Sequence, residues 1–148
     1  LVIHVAKISQ AQLFAKGPAA MFLDQYGTKW VEYERTTLAQ LDHILVNNGE
    51  SIPTTTDQFQ QFTMLQENGA DKYDAGNDQL FGLVKDFDTQ TLFITKALDL
   101  AQQEKWVELG SALSSLLGWI KEQIALTQRF LGHELRTGLY TEEDDDDF

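Results

Sequence analysis

The chain has no cysteine, only two prolines and only eleven basic residues among its 148 positions. The missing cysteines exclude disulfides and thiolate metal sites. They also suit a reducing compartment, so the expected location is cytoplasmic. With proline confined to positions 18 and 53, little interrupts long helices elsewhere. No apolar run approaches the roughly 18 residues that span a bilayer, and no signal peptide is visible, so no membrane partner is expected. The few Lys and Arg are scattered against 23 acidic residues, giving a net charge of −12. A surface of that sign repels phosphate backbones and lacks the basic patch that nucleic-acid binding uses. What is present is a 43% hydrophobic composition, enough for one folded domain with a real core. An acidic surface attracts cations, and its simplest use is solubility.

Four stretches repeat apolar residues at helical spacing. Over residues 1–15, Leu1, Val5, Ile8 and Gln12 share a face, with Val2, Ala6, Ser9 and Leu13 in the neighbouring row. Gly17 stops that segment, and Pro18 suits the first turn of the next. The second stripe is Leu23, Tyr26, Trp30, Tyr33, Thr37, Leu41 and Ile44, ending at an Asn47-Asn48-Gly49 stop. The third covers residues 78–103 through Leu80, Val84, Phe87, Thr91, Ile94 and Leu98. After a break near Glu104, the fourth runs from Trp106 to Leu131 and stops at Gly132.

Residues 49–75 are polar, hold Pro53, and sustain no stripe. A short helix is expected there, capped by Thr55 or Thr56, with Phe59, Phe62 and Met64 turned inward. The outer two connections are too short for anything but antiparallel neighbours. The middle link is long enough to return along a helix, so the second and third helices are expected to lie parallel. The predicted class is all-α: a four-helix bundle of the ferritin-like kind, whose long second-to-third crossover carries a short helix. The predicted boundaries are 1–132 for the bundle and 133–148 for an acidic C-terminal tail, in which residues 142–147 are all Asp or Glu. That block of like charge is expected to be flexible in isolation.

Ferritin-like bundles that hold two irons use Glu and Glu-x-x-His pairs inside the bundle. No Glu-x-x-His occurs: His4, His43 and His133 are preceded at that offset by Leu1, Gln40 and Phe130. A site of that kind is therefore not expected.

The segment "AQLFAKGPAAMFLDQYGTKWVEYERTTLAQLDHI" resembles the iron-site segment of the Dps family (DNA-binding protein from starved cells), the ferritin-like mini-cages of stressed bacteria. The Gly17-Pro18 break, the long crossover and "RFLG" at 129–132 fit the same pattern, and the resemblance covers roughly residues 5–132. It implies a homo-oligomer, a dodecamer, with a metal site between subunits at a two-fold interface. The family carries His before the break, then His-x3-Asp, then Asp-x3-Glu; here those five positions read Gln12, Asp24, Thr28, Ala39 and His43. The resemblance puts Gln12, Asp24 and Thr28 on one chain and Ala39 and His43 on its partner. Asp24 and His43 are good metal ligands, Gln12 is weak, Thr28 is marginal, and Ala39 cannot coordinate. Such a set suits one loosely held divalent ion and is poor for two irons. The competing use of His43 is a bridge to Asp24 across the interface without metal. The family's Trp after its first ligand is Leu13 here.

By the same resemblance Glu104 and Glu108, at the start of the fourth helix, are candidate pore residues for cations. Glu32, Glu34, Asp86 and Asp88 are further cation binders or simply solvated helix faces. The implied function is iron sequestration or storage and DNA protection under oxidative or starvation stress, with iron as the bound metal. Fe(II) oxidation, the family's enzymatic step, is weakened by the substituted ligands. The alternative is a non-enzymatic structural or DNA-associated shell without metal chemistry, and a generic four-helix bundle is a third reading. The chain begins at Leu1 rather than Met, so upstream residues are expected. Direct DNA binding by so acidic a chain requires a basic arm there or bridging cations.

Overall fold

The structure is a computed structural model and describes residues 1–50 and 75–139. Among them are four helices and no strand: α1 Val2–Phe14, α2 Pro18–Asn47, α3 Gly76–Gln103 and α4 Val107–Leu131. These match the four predicted segments, while the expected short helix at Thr55 or Thr56 lies outside the described residues.

Local chemistry sets the helix ends. Gly17 precedes α2 at φ 72° and ψ −153°, a region that is essentially glycine's alone, and Pro18 fills the first turn. At the end of α2, Gly49 N–H donates to the Val46 carbonyl and Glu50 N–H to that of Leu45. This paired capping of orphan carbonyls is a Schellman motif. It recurs at Gly132, φ 76°, where His133 N–H reaches the Gln128 carbonyl. It recurs again between α3 and α4, with Lys105 in the left-handed position at φ 55°. A side chain there costs about 1–2 kcal/mol that glycine would not.

Side-chain contacts fix the topology. His4 meets Glu34 and Gln12 meets Leu23, so α1 and α2 are antiparallel. Phe22 packs on Phe130, Trp30 donates Nε1–H to Gln123, and Tyr33 stacks on Trp119, so α2 and α4 are antiparallel. α3 and α4 also run antiparallel across their short turn, which leaves α2 and α3 parallel, as the long link requires.

The core lies on the predicted stripes of α2, α3 and α4, with Trp30, Phe87, Leu23, Leu116 and Ile120 essentially inaccessible. In α1 the buried row is offset from the expected one. Ile3, His4, Ile8, Ala11 and Ala15 face inward, while Leu13 is 78% exposed. Past Gly132 the chain turns back, Arg136 pairs with Asp88 at 2.8 Å, and Leu139 is buried against the core. No helix among the described residues is long and apolar enough to cross a membrane.

The two left-handed positions give opposite expectations. Gly17→Ala should lower unfolding free energy by about 1–3 kcal/mol, the usual cost of a side chain in that region. Lys105→Gly should leave it unchanged or raise it by up to about 1 kcal/mol. Urea denaturation followed by circular dichroism checks both, and equal destabilisation by the two variants would contradict these backbone assignments.

Candidate functional site

The corner between α1 and α2 gathers three of the five sequence-predicted positions. Gln12 lies in the last turns of α1 and reaches across to α2. Its Nε2–H donors go to the Leu23 carbonyl at 3.4 Å and the Thr28 hydroxyl at 3.3 Å. The approach is possible because residue 27 is glycine: a Cβ there would lie 2.6 Å from Gln12 Nε2. Asp24, one helical turn before Thr28 on α2, is exposed. The amide that would have to turn an oxygen toward a metal is instead spent holding α1 to α2.

Ala39 and His43 lie further along α2 and are also exposed. Asp24 and His43 are 19 residues apart, about 28 Å along the helix, so one chain cannot bring them to a common ion. Beside His43, partial burial raises the Asp42 carboxyl above its usual range, and the neighbouring imidazole partly offsets this.

The remaining acidic candidates separate into two kinds. Glu104 and Glu108 are exposed on either side of the α3–α4 turn. They flank an apolar groove of about 600 Å³ floored by Leu98, Ala101, Trp106 and Val107. Glu32 is exposed as well. By contrast Asp86 is paired with Lys7, and Asp88 with Arg136. Glu34 is fully buried, so it is no solvated helix face.

Glu34 belongs to a feature that sequence reasoning missed. His4 and Glu34, both 0% exposed, meet at 2.7 Å between Nδ1 and Oε1. The other ring nitrogen, Nε2, faces the Leu83 carbonyl at 3.2 Å. Each ring nitrogen thus has an oxygen partner, one on α2 and one on α3, inside a contact closed to water. Glu34 Oε2 and both amide atoms of Gln90 are buried without hydrogen-bond partners. Neither residue lies on the apolar rows read from the sequence, and a buried charge becomes visible only with its partner, 30 residues away. Among the described residues no three His, Cys, Asp or Glu side chains converge on a point that would hold a metal. The polar contact described in the bundle interior is the His4–Glu34 pair.

With this geometry in place, comparison with solved structures is decisive for the fold. The chain superposes on the crystal structure of the Lactococcus lactis MG1363 DpsB protein with a TM-score of 0.83. That match has 26% identity over 90% of this chain and 77% of that one. This is a Dps-family fold. The DpsA protein of the same organism gives a TM-score of 0.79 at 25% identity, covering 89% of this chain and 82% of its own. No protein-family model matches the chain, and no curated protein does. The likeness is one of architecture, at 25–26% identity.

Removing His4 would leave the Glu34 carboxylate buried without its hydrogen-bonding partner. His4→Ala should cost about 3–5 kcal/mol of stability. His4→Leu combined with Glu34→Leu should recover most of that, since replacing both partners by apolar groups is often near neutral. A double-mutant cycle in urea measures the coupling, and additive losses would show that the two residues do not interact.

Proposed function

We propose that this chain is the subunit of a Dps-like cage, a homo-dodecamer, that sequesters iron and shields DNA during oxidative or starvation stress. In this reading its own two-fold sites no longer oxidise Fe(II). The observation that carries the second part is the Gln12 lock. The residue standing where the family has its first ligand donates both of its hydrogen bonds within the chain, to Leu23 and Thr28. With Ala39 unable to coordinate, the set left for a shared ion is Asp24 from one copy and His43 from the other, too few donors to hold two irons and admit an oxidant.

Iron enters this scheme as cargo. The net charge of −12 raises the local concentration of Fe(II) around the assembly. The exposed Glu104 and Glu108 at the α3–α4 turn supply hard oxygen donors along the path inward. Iron oxidised elsewhere is then held as ferric mineral in the shell. DNA association runs through bridging cations or a basic arm outside this sequence, because the eleven Lys and Arg are scattered along the sequence against 23 acidic residues. The setting is cytoplasmic. A second reading, a structural shell that holds no iron, draws on the same Gln12 lock and differs only in mineral uptake.

The test is Fe(II) loading of the purified assembly without oxygen, followed by peroxide, with free iron and His43→Ala as controls. Oxidation should proceed no faster than free iron, yet the ferric product should stay soluble with the protein. Oxidation faster than free iron and slowed by His43→Ala would overturn the loss of ferroxidase activity. Precipitation of all the iron would favour the structural shell.

A further inference from the structure

Where α2 hands over to the long link, the chain reads Asn47-Asn48-Gly49. An Asn-Gly pair is especially prone to lose its side-chain amide. Glycine has no Cβ to keep its backbone nitrogen away from the asparagine side-chain carbonyl. The pair occurs at 48–49 and again at 68–69, the second lying outside the described residues. Asn48 and Gly49 are both exposed, and a Cβ at Gly49 would meet nothing within 4 Å, so solvent reaches the pair.

What restrains the pair is the helix end itself. Asn48 Nδ2–H donates to the Ile44 carbonyl at 3.0 Å. Gly49 N–H donates to the Val46 carbonyl at 2.9 Å. The leaving group and the nucleophile of amide loss are thus both held by the last turn of α2. At ψ 12° the Gly49 nitrogen is also nearly eclipsed with the backbone nitrogen of Asn48. Ring closure needs it on the Cβ side of the Cα–C bond, so reaction waits for the cap to open.

We propose that Asn48 is a site of spontaneous amide loss and that the cap of α2 sets its rate. In the opened chain, Gly49 N gives its proton to hydroxide, and its electron pair forms a bond to Asn48 Cγ. The Cγ–Nδ2 bond breaks, and ammonia leaves with a proton from water, closing a succinimide. Water then opens the ring at either carbonyl. One route leaves an ordinary aspartate at position 48; the other leaves a β-linked one, with the backbone running through Cγ. Nothing is oxidised or reduced. Either product adds a negative charge at the C-terminal end of a helix, where the dipole disfavours it. It also removes the donor to Ile44, so conversion unfastens the cap that delayed it. The step is one-way, and it lies at the root of the link from α2 to α3.

The test incubates the full chain at mildly alkaline pH, folded and in guanidinium chloride. Cleavage after glutamate puts the two Asn-Gly pairs in separate peptides, since Glu50 and Glu67 lie between them. Mass spectrometry then follows amide-to-acid conversion at Asn48. Conversion should occur in both states and be at least about tenfold slower in the folded chain, where only the locally opened cap reacts. Val46→Gly should speed the folded reaction at least about threefold, because glycine weakens the last turn, and leave the rate in guanidinium unchanged. Val46 is 52% exposed, so the bundle should keep its circular dichroism. Native chain converted at Asn48, separated by its extra charge, should exchange the Gly49 and Glu50 amide hydrogens faster than unconverted chain. Equal rates in the folded and unfolded chain, or no response to Val46→Gly, would overturn the gate. No conversion in either state would overturn the site, and unchanged exchange would overturn the unfastening.

Discussion

The His4–Glu34 ion pair is the constraint around which the bundle is arranged. It ties α1 to α2 through the side chains and α1 to α3 through the Leu83 carbonyl. Buried charge is expensive, so the pair tolerates little displacement: out of register, each partner would be buried without the other at high cost. The edge of the Phe87 ring packs against the imidazole, and Phe87 in turn contacts Trp30 and Trp119. Helix register is thus set from one polar contact outward through an aromatic layer that reaches all four helices.

The corner at Gln12 shows how the first two helices are joined. A Dps-like fold needs α1 and α2 joined where the chain reverses at Gly17-Pro18. Gln12 makes that join with two hydrogen bonds into α2, over a glycine that leaves room for the amide. Each such bond contributes about 0.5–1.5 kcal/mol net, modest beside metal binding but independent of metal supply. Similarity to DpsA and DpsB is similarity of fold, and a fold alone assigns no chemistry to this corner.

Much of the fold was legible in the sequence because periodic stripes and stop signals are local. The α2 stripe from Leu23 to Ile44, the Gly49 and Gly132 stops and the parallel placement of α2 and α3 all follow from spacing and loop length. The α1 row was misread by a position because short amphipathic segments leave the face ambiguous. His4 also reads as a polar interruption until its partner 30 residues away is known. Glu34 was misjudged for the same reason, since nothing local distinguishes a buried carboxylate from a solvated one. At the site, residue types at Gln12, Asp24, Thr28, Ala39 and His43 were readable. That Gln12 is committed to Thr28 and Leu23 was not, because it depends on the missing Cβ at Gly27.

The aromatic layer has a practical consequence. Trp30 is sealed beneath Phe22 and Phe87 with its indole N–H donated to Gln123, and Trp119 lies flat on Tyr33 at 4.0 Å. Both rings pack against other helices of the same chain, whereas Trp106 lies in the α3–α4 groove. Emission from the first two follows the packing inside one bundle, while emission from Trp106 follows the surroundings of that turn. With Trp106 replaced by Phe, emission wavelength and particle mass become separate channels, one for melting of a bundle and one for its dissociation from other copies.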